Sequence, residues 1–553
     1  MTAVKRCIFL LIALSFADLC FAQTPSVYQD LYTQLDGDLN DFQRSINGVW
    51  DGSKYPVKFS GQLTDANCNN GPVLLQPSSL TLIQGEIMFL KAIGVKAVSV
   101  EVSFPMLDAA FFDSIGQPSY QSQFTTFYAN VAAAIRAEGL QVIVESQSMI
   151  PTGLQSTWGT GLQSYYASLT TFQAYEQARA QTAAIVAQTI RPDYFVLQEE
   201  PDTEVAQSTQ ASAGTITGST AMLNGSITAV RQLNIPGMKI GAGFGSWLQE
   251  YQLFANSFTR QHCGQTVSGQ SQPCISQPLD FLDLHLFPIT EHTVDCSPPP
   301  NPKPCTAPNF WQNAMNVLST ANAANVPMTI SQAWLRKTRD SEWLQISGDI
   351  DEAREAYTFW EPLDLSFLQS IYNLANYGRM VFVVPFNTQN YSAYITWSGD
   401  SPSCTVNATP GCTALQGEGG GNTPQQVFGA VQSGALTNVS AASYSSVGIG
   451  YHNLFVSDRI APSNPTNVVA LRTTPTTATL SWSASNDDTG VAGYHISRNG
   501  VLLRDIFQTP FQDTGLAPAT VYTYKVQAFD LAGNVSTPVP SSPQNQRRRA
   551  ATH

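Results

Sequence analysis

Short apolar runs alternate with longer amphipathic stretches from Tyr55 to Pro385. The runs read as strands covered on both faces, as in a parallel sheet lined by helices. In order they lie at 55–60, 95–102, 140–145, 194–197, 238–243, 279–288, 327–332 and 379–385. Between them apolar residues recur every three or four positions. That spacing predicts helices near 79–93, 122–138, 171–190, 217–233, 310–324 and 364–376, with a leading helix over 28–47. Gly94 and Gly139 stand where the first two helices between strands should end. Eight strands alternating with helices predict an α/β fold of the (β/α)8 TIM-barrel kind. A doubly wound open sheet is the other arrangement, but it usually carries a glycine-rich phosphate loop after its first strand, and none follows Ser60.

The pattern changes beyond a stretch rich in Gly, Ser, Thr and Asn at 398–458, which closes the barrel or links it onward. Ala461-Pro462-Ser463-Asn464-Pro465 marks a boundary. Ala478-Thr479-Leu480-Ser481-Trp482 then alternates with the period of a half-buried strand, and 492–500 is a strand entering an Asn499-Gly500 turn. The segment 516–528, with Pro518, Tyr522 and Tyr524, resembles the tyrosine-corner region of fibronectin type III domains. Trp482, Tyr494 and Asp530-Leu531-Ala532-Gly533-Asn534 extend the resemblance across 464–541. It implies an all-β sandwich in which Trp482, Tyr494 and Tyr522 are core residues. The expected organisation is a signal peptide at 1–22, a barrel domain at 23–458, a fibronectin type III domain at 459–541 and a disordered tail at 542–553.

Composition narrows the function. The 553 residues are 43% hydrophobic and 12% charged, which suits folded domains. A net charge of −13 gives no attraction to phosphate, so nucleic acid is excluded as a partner, and neutral or weakly charged ligands such as sugars stay open. Lys5 and Arg6, the apolar run 7–16 and Cys20-Phe21-Ala22 compose a signal peptide, hence a secreted or periplasmic protein. No stretch is long and apolar enough to span a membrane. Of the nine cysteines, six pair closely in sequence: Cys263 with Cys274, Cys296 with Cys305, and Cys404 with Cys412. In an exported chain these read as local disulfides, with Cys68 left over. No pair has the spacing of a metal site, so neither metal nor organic cofactor is expected.

The chemistry collects where the strands end. Tyr194-Phe195-Val196-Leu197 runs directly into Gln198-Glu199-Glu200-Pro201. The side-chain period of two puts Gln198 and Glu200 on one face and Glu199 on the other, so one glutamate should point into the barrel mouth. Glu101, Glu145, Asp283, His285, Gln332, Arg336, Asn387 and Gln389 follow or end other strands, with Trp158, Trp247, Trp334 and Trp397 in nearby loops. Carboxylates ringed by tryptophan suit a sugar, whose C–H faces pack on aromatic rings. Here the chain resembles the clan A glycoside hydrolases, retaining (β/α)8 enzymes whose fourth strand ends in Asn-Glu-Pro. The resemblance makes Glu200 the acid/base and puts Glu199 in the place of the asparagine, where its charge would help hold Glu200 protonated. Asp283-Leu284-His285-Leu286-Phe287-Pro288 is similar to a clan segment whose ring lies beside the nucleophile. The nucleophile itself should end the seventh strand, and Gln332 stands there. An amide cannot form a glycosyl ester. Three alternatives follow: a nucleophile from elsewhere (Glu145, Glu101, Glu291 or Glu342), an inverting pair, or a barrel that binds sugar without cleaving it. His285, Gln332, Trp334, Arg336, Glu145, Trp397, Asn387 and Trp247 are the expected substrate contacts. Arg336, Lys337 and Arg339 either pair with local acids, the simpler expectation, or meet an acidic sugar. A serine esterase is excluded, because Gly243-Phe244-Gly245-Ser246-Trp247 lacks the nucleophile-elbow spacing.

Overall fold

The structure is a computed structural model that describes residues 24–543, apart from 152–157, 268, 290–308, 340–341, 343–352, 356, 386–387, 396–423, 489, 507–508 and 532. The expected signal peptide, Cys296, Cys305, Cys404, Cys412, Glu291, Asn387, Trp397 and most of the expected tail lie outside the described residues.

Eight parallel strands close into a barrel: β1 (Lys58–Gln62), β2 (Ala97–Glu101), β3 (Gln141–Glu145), β4 (Tyr194–Val196), β5 (Lys239–Gly245), β6 (Phe281–Leu286), β7 (Met328–Ala333) and β8 (Phe382–Pro385). Each pairs with its sequence neighbours, and β8 returns to β1 through Lys58 opposite Phe382. The helices are α1 (Gln29–Val49), α2 (Ser79–Ile93), α3 (Ala109–Ser114), α4 (Ser119–Ala137), α5 (Gly159–Ser168), α6 (Phe172–Ile190), α7 (Pro201–Ser208), α8 (Ile216–Arg231), α9 (Tyr251–Phe258), α10 (Phe310–Ala323), α11 (Glu361–Tyr377), α12 (Pro424–Ser440) and α13 (Ser446–Phe455). α2 ends as its sequence requires. Gly94 takes φ 95°, and its N–H closes onto Leu90 and Lys91. The last two helices, α12 and α13, lie in the stretch expected to close the barrel or link it onward. They pack on the barrel flank through Val427, Val431, Ala435, Val447 and Tyr451.

Two apolar layers result. Outward-facing strand residues and helix faces form the large shell core. Inside the barrel, Ala97, Ile143, Tyr194, Val196, Phe281, Phe382 and Val384 fill the amino-terminal half with a separate cluster. The inner face of β5 is bare. Gly241, Gly243 and Gly245 stand opposite Phe281, Asp283 and His285 of β6. A methyl group on Gly241 would lie 2.0 Å from the Phe281 ring, and one on Gly243 would lie 2.9 Å from the Asp283 side chain. Gly241 and Gly243 therefore make the room that Phe281 and Asp283 occupy, and Gly245 makes room for the Trp247 ring.

Beyond the barrel, β9 (Thr466–Thr474), β10 (Thr477–Ser483), β11 (Gly493–Arg498), β12 (Val501–Ile506), β13 (Phe511–Asp513), β14 (Tyr524–Phe529), β15 (Val539–Pro540) and β16 (Ser542–Pro543) build two facing sheets, ordered β13-β10-β9-β16 and β12-β11-β14-β15. Trp482 and Tyr494 meet in their core, as expected, and the Tyr522 hydroxyl accepts the Ala517 N–H. The sandwich seats on the barrel flank. Phe89 of α2 stacks on Tyr444 at 4.4 Å, the Tyr444 hydroxyl donates to the Ala492 carbonyl, and Ala492 and Leu531 join the shell core.

Gly241→Ala should cost about 1–3 kcal/mol through overpacking against Phe281. Gly37→Ala, on the open face of α1 with nothing within 4 Å, should gain about 0.5–1 kcal/mol. Urea denaturation of the two variants checks the contrast, and equal shifts would contradict it.

Candidate active site

The mouth of the barrel holds a polar layer directly above the apolar plug. Inward positions at the ends of β2 and β3 carry Glu101 and Glu145, which face each other in register. β6 contributes Asp283 and His285. β7 contributes two neighbours, because its register slips by one residue: Thr329 pairs with Asp283, yet Gln332 pairs with His285. The extra residue lets both Ser331 and Gln332 reach the layer.

The end of β4 departs from expectation. Gln198 turns outward, donating its side-chain amide to Ser219 of α8, while its backbone carbonyl accepts the Gly243 N–H. Glu199 then points inward. Pro201 opens α7, and Glu200 at its N-cap (φ −136°, ψ 102°) also faces the mouth. The two glutamates are thus not split between faces; Gln198 is the side chain that leaves. Behind them, buried Arg179 of α6 meets Glu204 of α7 at 2.8 Å and donates to the Leu197 carbonyl, which ties α7 to the strand end.

A continuous network links the layer. His285 Nδ1 lies 2.6 Å from Glu200 Oε1, and Nε2 lies 2.9 Å from Ser331 Oγ. Ser331 Oγ donates its one proton to Asp283 Oδ2 at 2.6 Å, so Nε2 must carry a proton that Oγ accepts. Thr329 and the Ser331 N–H complete the acceptors' partners on Asp283. The Thr203 hydroxyl donates to the second oxygen of Glu200. Gln332 Nε2 donates to Glu145 Oε2 at 2.7 Å and to Glu199 Oε2 at 3.4 Å. Asn67, Asn69 and Ser103 hold Glu101. Of these partners, Asn67, Asn69, Thr203, Ser331 and Arg179 escaped the sequence reading. The signal for the first two was the polar run Asn67-Cys68-Asn69-Asn70 just beyond the first strand.

Burial decides the charges. Glu199 is pushed well above the carboxylate range by desolvation, then by the charges of Glu145, Glu101, Glu200 and Asp283, which favours its protonated form. Glu145 is raised by burial to about 7, against the pull of His285 and Gln332. Burial also raises Glu101 and Asp283, against their hydrogen bonds. Desolvation opposes charge on His285, but the hydrogen bond and charge of Glu200, with Asp283 and Glu145, raise it. Glu199 is thus the glutamate whose surroundings most favour a proton, while Glu200 faces the Thr203 hydroxyl and the His285 ring. Glu145, Glu199 and His285 present ligand atoms within 4.8 Å of one another, a spacing that one cation could bridge, as do Asp458, Asp487 and Asp530 at the sandwich junction.

Trp247, Phe287 and Trp334 make an aromatic wall at the mouth. Trp247 stacks on Phe287 at 5.2 Å and donates to Asp202, which burial raises to about 6. Trp334 meets Phe287 edge-on, and the Arg336 guanidinium lies 5.5 Å over the Trp334 ring. Trp158 is instead packed among Phe111, Phe112 and Phe124, away from the layer. Lys337 is buried between Glu355 and Asp364, and Arg339 pairs with Asp30 and Glu342, so local pairing holds for both. Glu342 also binds Arg354, which removes it from the candidate catalytic carboxylates. Cys263 and Cys274 form the expected disulfide, and Cys68 is buried and free.

Comparison with known proteins bears on the sandwich. The fibronectin type III domain matches residues 463–543. Those residues are a fibronectin type III domain. Exoglucanase B of Cellulomonas fimi is 49% identical over 81 residues, 15% of this chain and 7% of that protein. Chitinase Chi52 of Paenibacillus xylanexedens is 44% identical over 79 residues, 14% of this chain and 15% of the relative. The matches thus span a small part of either relative's length. Among solved structures, a β-glucosidase from Thermotoga maritima in complex with azafagomine is 11% identical, with a TM-score of 0.40, over 61% of this chain and 89% of that one. The GH1 β-glucosidase from Exiguobacterium antarcticum B7 is 13% identical, with a TM-score of 0.38, over 56% and 77%. These last likenesses do not bear on the chemistry of the layer.

Stability should depend on pH through the buried acids. Glu145 at about 7, and Glu86 and Glu355 at about 8, each lie above the 4.5 of the unfolded chain. The folded state holds their protons longer, so they contribute stability below pH 4.5 that is lost as pH rises through 7 to 8. The raised His285 acts in the same direction. The melting temperature should fall by about 5 °C from pH 5 to pH 8, with a shallower fall in Glu145→Gln. Scanning fluorimetry across that range checks it, and a melting temperature that rises with pH would contradict it.

Proposed function

We propose that the chain is an exported glycoside hydrolase that cleaves an oligo- or polysaccharide between Glu200 and Glu145. One observation carries the reading: Glu101, Glu145, Glu199 and Glu200 converge with His285 at the carboxyl end of a closed parallel barrel, beside an aromatic wall. Two groups of sequence features support export, the cationic start at Lys5 and Arg6 and the apolar run that follows it. Among the described residues no helix is long and apolar enough to cross a membrane.

Glu200, at 6% exposure, is the most open carboxyl of the layer. The charged His285 ring passes its Nδ1 proton to Glu200 along the 2.6 Å bond, and Glu200 delivers it to the leaving glycosidic oxygen. Glu145 is the second carboxylate. Gln332 stands where the resemblance puts a nucleophile and holds Glu145 through its amide instead. At about 7, Glu145 is half ionised at neutral pH, which suits a group that must accept a proton or attack carbon there. Protonated Glu199 donates a hydrogen bond to a sugar hydroxyl from the place of the asparagine. Trp247, Trp334, Arg336 and His285 line the approach. Sugar binding without cleavage is the second reading, and Gln332 favours it.

On a panel of plant, fungal and bacterial polysaccharides, Glu200→Gln and Glu145→Gln should each lower kcat by about 10²–10⁴-fold. Undiminished turnover in Glu145→Gln would reject its role. A silent wild type with activity in Gln332→Glu would favour the binding reading. Proton NMR of the first product's anomer then separates attack by Glu145 (retention) from activation of water by Glu145 (inversion).

A further inference from the structure

The loops after β1 and β8 enclose, with α2 and α12, a cavity of about 430 Å³ beside the mouth. Its inner wall includes Gln62, the last residue of β1, and the two asparagines that hold Glu101. Gln62 is buried, and its Nε2 has no hydrogen-bond partner among the described residues. The outer wall is formed where Leu82 of α2 meets Leu436 and Val439 of α12. A second cavity, of about 370 Å³, is lined by the same three residues. It runs between α2 and the sandwich and ends on Arg504, Phe511 and Gln512. The two cavities therefore adjoin across those three residues, and together they mark a groove from the asparagines that hold Glu101 to the fibronectin type III domain. Gly85 keeps its floor open, since a side chain there would meet nothing nearer than Val439 at 3.8 Å.

The lining has the chemistry of a sugar chain. Amides donate and accept at once, as rows of hydroxyls require. Leu82, 39% exposed, and the half-buried Phe511 offer apolar faces for C–H surfaces. Each volume falls within the range of ligand sites, about 300–1,000 Å³. Asp65 lines one end and Arg504 the other, so no single sign of charge runs along the groove.

We propose that this groove carries a neutral polysaccharide chain, which makes the sandwich part of the substrate surface and not a spacer. The proposal deepens the hydrolase reading and rests on it for the meaning of the mouth end. A short glycoside needs only the mouth; a wall contributed by a second domain serves a chain long enough to reach it.

The test uses the full-length chain with Glu200→Gln to prevent turnover. Electrophoresis in gels containing hydroxyethylcellulose, glycol chitin or soluble xylan measures retention by polymer, and calorimetry measures binding of the matching disaccharides. At least one polymer should retard the parent. Gly85→Trp, which plugs the groove, and Phe511→Ala, which strips its far wall, should each lose about fivefold more affinity for that polymer than for its disaccharide. Equal losses, no loss in both variants, or no retardation of the parent by any polymer would overturn the proposal. Phe511→Ala decides the matter if Gly85→Trp fails to fold by circular dichroism. Selective loss of polymer binding in a protein whose wild type cleaves nothing would keep the groove and reject the hydrolase. Turnover by the wild type with equal losses would do the reverse.

Discussion

Glu101, Glu145, Glu199, Glu200 and Asp283 share a dry space with His285, and the excess of acids over bases governs the site. Five like charges cannot coexist there, because the interior screens poorly and water is excluded. The layer resolves the conflict by sorting its protons. Glu199, with the most acidic neighbours and the fewest donors, keeps one. Glu200 has His285 and Thr203 aimed at it. Glu145 stands between these extremes at about 7. Two adjacent glutamates of one tetrapeptide thus meet different surroundings, which is how a fold assigns separate roles to the same side chain.

The barrel was legible because its strands are covered on both faces and therefore read as unbroken apolar runs. Strand ends were less so. β1 begins at Lys58, later than expected, since the Tyr55 N–H bonds to the Asn376 side chain and not to a strand. α12 escaped because Gly, Ser and Asn dilute its stripe, although Val427, Val431 and Ala435 recur at a helical interval. α7 escaped because Pro201 reads equally well as a strand stop and as a first helical residue.

Within the site, residue types were readable and orientations were not. The alternation rule failed at β4 because Gln198 found a partner in Ser219, a hydroxyl far away in sequence. It failed again at β7, where one inserted residue brings Ser331 and Gln332 inward together. Both departures are bulges, and both serve to crowd polar groups into the mouth. Composition identified the candidate chemistry; tertiary partners chose which atoms face it.

The bare inner face of β5 has a consequence for how such a protein can change. Gly241 and Gly243 are complements of Phe281 and Asp283, matched position by position. Volume added to one strand has to be surrendered by the other. The pair is a hereditary unit, and a lineage that reshaped β6 would need to rewrite the neighbouring glycines in step. Drift along β5 alone is closed to it, so the ancestry of the site should be traceable in two strands read together.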